Sequence, residues 1–233
     1  MTDAKPSRKK ENILVNLLIN IVIPTVILSK FSGEAALGTK WAVVVALAFP
    51  IGYGLWDMRQ TGKVNLFSIL GVISVALTGG MALLELPPKY IVIKEAGIPA
   101  LFAIFTLISL KTPYPLVKTF LYNDKVMQID KVNGALAKFG NQQDFNRALV
   151  NASYLVALSF VVSSILNYIL ATMILVSPPG TEAFNAELGT MNALSFPVIA
   201  IPATIVLMFA LFYLFKRIKA LTHLDLEDIL IQP

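Results

Sequence analysis

Long apolar runs separated by short polar segments are the main pattern of the sequence after residue 11. An α-helix rises about 1.5 Å per residue, so about 20 apolar residues are needed to cross the hydrocarbon core of a membrane. Six runs approach or exceed that length, at 12–29, 41–57, 64–84, 90–110, 148–176 and 195–215. The pattern therefore predicts an all-α fold: a polytopic membrane helix bundle with six transmembrane helices.

The first run lies where a secretory signal peptide would lie. It contains Asn16, Asn20 and Pro24, and five further runs follow it, so we expect it to be retained as a span. The predicted domains are a basic cytoplasmic tail at 1–11, a single membrane domain at 12–215 and a second cytoplasmic tail at 216–233.

A basic amphipathic pattern occupies the longest connection between spans, at 111–147. Its apolar residues recur at helical spacings of three and four, with lysines between them: Val126, Ile129, Val132, Leu136 and Phe139. Such a helix lies most simply on the inner leaflet, as an interfacial helix. The alternative is a docking surface for a cytoplasmic partner. Gly140 is expected to end this helix, and Asp144 to cap the fifth span.

The loop between the last two spans carries a second helix signal. Pro178, Pro179 and Gly180 end the fifth span, and Thr181 follows as a favourable N-cap. Phe184, Leu188 and Met191 share one face, and Glu182 and Glu187 are the only charged residues of this loop. We expect a short helix at the outer interface, or one folded back over the bundle.

The distribution of basic residues predicts the orientation. Cytoplasmic segments of membrane proteins carry an excess of lysine and arginine. Both termini are therefore expected to be cytoplasmic. Fifteen of the 19 lysines and arginines then lie on the cytoplasmic side: Lys5, Arg8, Lys9, Lys10, Arg59, Lys63, Lys111, Lys118, Lys125, Lys131, Lys138, Arg147, Lys216, Arg217 and Lys219.

Composition narrows the possible chemistry. Hydrophobic residues make up 56% of the chain and charged residues 14%, against roughly 25% charged in soluble domains. There is no cysteine, and the only histidine is His223, in the C-terminal tail. These counts exclude disulfides, thiolate zinc sites and histidine-built haem or metal centres. We therefore predict no metal and no cofactor, and we attribute the basic surplus to membrane orientation and anionic lipid, with no nucleic-acid partner.

Polar residues inside the spans are the candidate site, because such groups are costly in lipid. Each of four prolines is predicted to break a span: Pro24, Pro99, Pro197 and Pro202. Pro24 removes the helical donor to the Asn20 carbonyl, and Pro99 removes the donor to the Glu95 carbonyl. The predicted topology places these breaks in the outer half of the bundle, where broken transporter helices often form a substrate site. The candidate residues for a polar transport site are Glu95, Lys94, Asn20, Asn167 and Glu187.

Structural roles compete with this hypothesis at each position. The asparagines also suit interhelical hydrogen bonding, and the prolines also suit simple kinks. The Lys94 side chain could extend towards water. Glu95 is rotated by about 100° from Lys94 on a helix, so the two need not share a face. Glu95 is the strongest candidate for a functional ionisable group.

Four segments resemble an uncharacterised family of bacterial six-helix inner-membrane proteins, which is distantly similar to the intracellular septation protein A family. In the septation proteins, a membrane-helix lysine, a basic-proline-leucine turn and a Leu-Asn pair occur in similar order; here these correspond to Lys94, residues 113–116, and Leu166 with Asn167. This chain has Lys94, Glu95 and Ala96 where the septation proteins have lysine, proline and threonine. Members of the six-helix family also resemble proteins labelled major-facilitator transporters. The four segments are IKEAGIPALFA (93–103), LKTPYPLVKTFLYN (110–123), FVVSSILNYILA (160–171) and GTEAFNAELGTMNALSFPVIAIP (180–202).

Two functional hypotheses follow. The first is a multi-pass, non-enzymatic inner-membrane protein of the cell envelope that acts through membrane lipids, other inner-membrane proteins or a second copy of itself. The alternative is a small secondary transporter or channel with a polar site in the outer half. An enzyme is not expected, because the spans contain no histidine, no cysteine and no paired aspartates, and no catalytic residues are assigned.

Overall fold

The computed structural model describes residues 13–61, 66–112, 115–122 and 127–231, and this part of the chain is helical without a β-strand. The predictions for the tail at 1–11, for Lys63 and Lys125, and for residues 113–114 lie outside the described residues. The helices are α1 (Ile13–Leu17), α2 (Ile23–Lys30), α3 (Gly38–Thr61), α4 (Leu66–Leu83), α5 (Pro88–Ser109), α6 (Leu116–Leu121), α7 (Ile129–Phe139), α8 (Gln142–Ile174), α9 (Glu182–Ser195), α10 (Ile201–Thr222) and α11 (Leu226–Ile229). Two π-helical segments, π1 (Leu18–Val22) and π2 (Phe196–Ala200), join α1 to α2 and α9 to α10.

Four helices of the described chain are long and apolar enough to cross a membrane. They are Gly38–Arg59, Pro88–Ser109, Gln142–Ile174 and Glu182–Thr222. Two shorter apolar helices, Leu14–Lys30 and Ile69–Leu83, lie where the first and third spans are predicted. The prediction of an all-helical fold is confirmed for the described residues, and four helices are candidate membrane spans. The count of six spans stays a prediction, because the helices at the first and third predicted spans are shorter.

The boundaries around α7 and α8 partly match the sequence analysis. Gly140 ends α7 in the left-handed conformation, with φ of 68°, as expected for a glycine at this position. The helix that contains the fifth predicted span begins before residue 148, because α8 already starts at Gln142. Asp144 therefore does not cap the helix; it lies in its first turn and pairs with Arg147 at 3.2 Å.

One continuous helical stretch runs from Glu182 to Thr222. Its start is as predicted, because the Thr181 hydroxyl oxygen accepts a hydrogen bond from the Phe184 N–H at 3.2 Å. The expected separation between a short helix and the last span is not found. The π2 segment carries the chain through Pro197 with wider turns, and α10 follows directly with Pro202 in its first turn.

The chain divides into two compact units. The first unit comprises Met1–Ile91 and Ala171–Leu194, and the second comprises Val92–Leu170 and Ser195–Pro233. In the first unit α3 and α4 approach closely, because a Cβ at Gly79 would overlap the Leu47 side chain. The absence of a side chain at Gly79 therefore lets the Leu47 side chain approach the α4 backbone.

In the second unit, α6, α7, the start of α8, the end of α10 and α11 form a small helical body, here called the lobe. Its buried residues come from all five elements: Val117, Tyr122, Met127, Val132, Leu136, Phe145, Leu149, Ala152, Leu214, Ile218, Leu221 and Ile229. The apolar face of α7 is thus covered by protein, with Val132 and Leu136 fully buried. Val132 and Leu136 therefore contact neighbouring helices and not lipid, contrary to the expected role of this face. The position of α7 at the inner leaflet stays a prediction.

Hydrogen bonds fix the C-terminal segment onto the lobe. The backbone N–H of Gln128 donates to the Ile229 carbonyl at 2.9 Å, and the Gln128 side-chain amide donates to the Leu230 carbonyl at 3.0 Å. An isolated antiparallel bridge joins Met127 to Leu230. On the opposite side of α7, the Asn141 amide donates to the Leu221 carbonyl at 2.8 Å. The lobe is therefore closed by polar contacts as well as by its apolar core.

Candidate functional site

Lys94 and Glu95 form an ion pair within the apolar helix α5. The Lys94 ammonium lies 2.6 Å from a Glu95 carboxylate oxygen, and the two side chains are 7% and 23% exposed. The lysine therefore does not extend towards water, and the rotation between adjacent residues does not separate the charges. The lysine stem is flexible enough to bring the ammonium to the Glu95 carboxylate despite the rotation. The pairing is favourable because an ionised group in an apolar helix is stabilised by a nearby opposite charge.

The helix around this pair is not broken. α5 is a continuous α-helix from Pro88 to Ser109 and runs through Pro99, so the predicted break there is wrong. Proline removes one hydrogen bond but leaves the helical dihedral angles accessible, and helices in membranes accommodate it when neighbours bind the affected carbonyls. Here the Ser164 hydroxyl of α8 donates to the Ala96 carbonyl at 2.8 Å, one residue beyond the carbonyl that the sequence singled out.

Asn167 hydrogen-bonds within its own helix. Its side-chain amide donates to the Ser163 carbonyl at 2.8 Å, one turn earlier in α8. This local bond is a common way for a polar side chain to be satisfied in a membrane helix.

Asn20 lies in π1, where its surroundings follow the sequence analysis closely. Its amide donates to the Asn16 side-chain oxygen at 3.0 Å, as the spacing of four residues predicts. Its backbone carbonyl, whose helical donor is missing at Pro24, accepts a hydrogen bond from the Asn192 amide at 3.3 Å. The discontinuity predicted at Pro24 therefore takes the form of a widened π turn, with α2 resuming at Ile23.

Glu187 closes the connection after α8. One carboxylate oxygen accepts the backbone N–H groups of Val176 and Ser177, each at 3.0 Å, and the other accepts the Ser177 hydroxyl at 2.6 Å. Charge-assisted bonds of this kind hold a non-helical turn in place. The contacts of Glu187 are those of a structural carboxylate.

The five predicted site residues divide between the two units. Asn20 and Glu187 belong to the first unit, and Lys94, Glu95 and Asn167 belong to the second. A single pocket built from all five stays a prediction. What the structure does bring together is the Lys94–Glu95 pair in α5, with the Ser164 contact of α8 beside it.

A polar seam between α9 and residues 20–39, which run from π1 to the start of α3, was missed in the sequence. Asn185 donates to the Ser32 hydroxyl oxygen at 3.0 Å and to the Thr39 carbonyl at 2.9 Å, while Asn192 reaches Asn20. Between the two asparagines, the Gly189 carbonyl accepts the Thr25 hydroxyl at 3.1 Å. Residues 185, 189 and 192 have the spacing of one helix face, and this spacing is the sequence signal that could have predicted the seam.

An open cleft of about 460 Å³ lies in the first unit. Its lining includes Lys40, Trp41 and Glu182, and Lys40 pairs with Glu85 at 3.2 Å. Glu85 has a left-handed backbone with φ of 53°, unusual for a residue other than glycine. Gly180 approaches it closely, because a Cβ there would lie 2.9 Å from the Glu85 carboxyl carbon. The cleft is mixed in charge and lies among short loops.

Two ionisable groups of the lobe are perturbed. Burial, followed by the negative charge of Asp130, raises the pKa of Tyr122 to about 12, and its hydroxyl donates to the Asn133 side-chain oxygen at 2.7 Å. A hydrogen bond from Lys219, and then its charge, lowers the pKa of the exposed Asp225 carboxyl. These shifts reflect packing and surface pairing within the lobe.

Among the described residues, no group of three or more histidine, cysteine, aspartate or glutamate side chains is placed to hold a metal ion. Comparison with known proteins finds no family model, no curated sequence and no solved structure that matches the chain.

Proposed function

We propose that the chain is a multi-pass, non-enzymatic protein of the bacterial inner membrane that acts through protein or lipid partners, which it contacts with the lobe. The observation that carries this proposal is the lobe itself. A helix such as α7 that only anchored the chain would keep its apolar face for lipid, but Val132 and Leu136 are buried in a core of their own. Membership of the septation-like family belongs to the same proposal.

The topology within this proposal has six spans and cytoplasmic termini. The four long apolar helices and the two shorter ones supply six candidates, and an even number of crossings puts both ends on one side. The basic residues of the lobe favour the cytoplasm for that side. A periplasmic reporter enzyme fused after Lys125 should be inactive, and an active reporter would contradict the orientation.

Photocrosslinking in cells tests the role of the lobe. A crosslinking amino acid placed at Gly134 or Ala137, both exposed on α7, should give an adduct of reproducible mass. Leu136→Asp puts a charge into the core and should abolish that adduct, whereas the matched surface change Gln143→Asp should leave it. Absence of any adduct from a correctly inserted chain would contradict the proposal.

The Lys94–Glu95 pair supports a second candidate, a small transporter or channel. Ion pairs inside apolar helices often mark ion or proton pathways, because their burial in lipid is costly. Flux of protons and small solutes into proteoliposomes should then depend on pH and be lost in Glu95→Gln at normal abundance. Lost abundance of that variant, with no flux through the wild-type protein, would instead assign the pair a structural role.

A further inference from the structure

Exposed apolar stripes on three helices of the second unit each end at a basic residue. On α10 the exposed residues Ile205, Phe209 and Phe212 follow helical spacing, and Lys216 comes four residues later on the same face. The corresponding stripe on α5 is followed by the exposed Lys111, two residues beyond the end of the helix. Its exposed residues are Leu101, Ile104, Phe105 and Ile108.

The stripe on α8 runs in the opposite direction along the chain. Its exposed residues are Ile165, Val161, Leu158, Tyr154 and Val150. Arg147 precedes Val150 by three residues and is also exposed. Because the stripes on these long apolar helices have the spacing of lipid-facing surfaces, the three basic residues stand where those surfaces leave the hydrocarbon.

Hydrogen bonds place Arg147 and Lys216 at the same height. Asn141 of the α8 entry bonds to Leu221, and Asn151 bonds to the Tyr213 hydroxyl at 3.0 Å. Asn141 is thus level with residue 221 and Asn151 with residue 213, so the two helices run antiparallel. Arg147 lies between the two asparagines and is therefore level with residues 216 and 217 of α10. Lys111 belongs to the same end of the unit, because the Leu116 N–H bonds back to the Ser109 hydroxyl and Val117 then enters the lobe core.

We propose that Lys111, Arg147 and Lys216 form a basic ring around the lobe that binds the phosphate groups of anionic phospholipids. This inference rests on the proposed function and names one class of partner for it. Lysine and arginine bind phosphate through charge-assisted hydrogen bonds, and arginine does so with two donors at once. The apolar core of the lobe is closed, so the contact with the membrane is made by charge at this ring.

The ring is available to a ligand. Among the described residues Arg147 pairs with Asp144, at 3.2 Å, and both side chains are about half or more exposed. Such surface pairs contribute little, so a headgroup phosphate can replace the aspartate. Other basic residues of the lobe do not stand at the end of a stripe. Lys131 lies on α7, which carries no stripe, and Lys219 lies three residues beyond Lys216; they pair with Asp228 and Asp225 at 3.2 and 2.8 Å.

Lipid titration of the full chain tests the ring. Native mass spectrometry of the protein in detergent micelles, titrated with phosphatidylglycerol or phosphatidylcholine, gives the apparent affinity for each lipid. Each basic residue near an anionic surface contributes roughly fivefold. The triple variant Lys111→Gln, Arg147→Gln, Lys216→Gln should therefore lose on the order of one hundredfold in phosphatidylglycerol affinity, with phosphatidylcholine unchanged.

The matched control removes three other positive charges from the lobe, with Lys131→Gln, Lys138→Gln and Lys219→Gln, and should retain most of the affinity. Equal losses in both variants would overturn the inference, because the effect would then follow net charge alone. Equal binding of both lipids by the wild-type protein would also overturn it. If a crosslinker at position 147 then captured a protein in cells, the proposed function would stand and the lipid assignment would fall.

Discussion

The lobe and the long apolar helices place the same kinds of side chain in opposite surroundings. Leu136 and Ile218 of the lobe are fully buried, whereas Phe105 of α5 and Phe212 of α10 are 55% and 68% exposed. In water, burying apolar surface drives folding. Between lipid-facing helices, burying apolar surface contributes much less to folding, because lipid tails are as apolar as leucine. The lobe is therefore held mainly by apolar packing, and the membrane helices depend more on polar contacts.

The largest effect is expected where a polar contact is removed from a membrane helix. Lys94→Met removes the ammonium that lies 2.6 Å from the Glu95 carboxylate and should lower the free energy of unfolding by about 3–5 kcal/mol. Unfolding by SDS titration in bicelles measures this. The double variant Lys94→Met with Glu95→Gln should recover part of the loss, and no recovery would show that the lysine stem itself, not its charge, is what matters.

The next effect contrasts one leucine from each region. Leu136→Ala opens a cavity in the lobe core and should cost about 2–5 kcal/mol. Leu101→Ala is the matched change on α5, where the side chain is 52% exposed, and should change stability by less than about 1 kcal/mol. Hydrogen exchange of the lobe amides and SDS titration of the whole protein measure the two effects. Equal losses of stability in Leu136→Ala and Leu101→Ala would contradict the contrast between the lobe and the long apolar helices.

A smaller effect tests close helix packing in the first unit. A Cβ at Gly189 would lie 3.0 Å from the Ser29 hydroxyl oxygen and 3.1 Å from the Thr25 carbonyl oxygen. Gly189→Ala should therefore destabilise the protein by about 1–2 kcal/mol. Gly97→Ala on α5 is the control, because nothing lies within 4 Å of a Cβ there, and helix propensity should make it neutral or stabilising by up to about 1 kcal/mol. The same SDS titration compares them.

The smallest effect is a pH dependence confined to the lobe. The pKa of Tyr122 is raised from 10.0 to about 12, so between these values the unfolded chain releases the phenolic proton and the folded lobe retains it. Lobe stability is then fully present below pH 10 and falls as the pH rises towards 12. Hydrogen exchange of lobe amides across this window should show the fall, and Tyr122→Phe should flatten it. If lobe stability in Tyr122→Phe falls with pH as steeply as in the wild-type protein, other groups cause the pH dependence.

Local signals in the sequence predicted much of the fold. Apolar runs located the long helices, Gly140 and Thr181 marked helix ends, and Pro24 correctly identified Asn20 as the carbonyl needing another partner. The covering of α7 was not predictable in this way, because periodicity shows that a face is apolar and does not show whether lipid or protein covers it. The pairing of Lys94 with Glu95 was missed for a related reason: helix angles fix Cβ directions, and long side chains depart from them.

The attachment of Ile229 to the lobe sets an order of events during biosynthesis. Ile229 is fully buried in the same core as Val117 and Leu136, so that core stays open until residue 229 has been synthesised. All the long apolar helices precede this residue and have therefore been synthesised before the core can close. The lobe can therefore close only after the preceding chain has been synthesised. A chain truncated before Leu226 would leave Val132 and Leu136 accessible to cellular proteases.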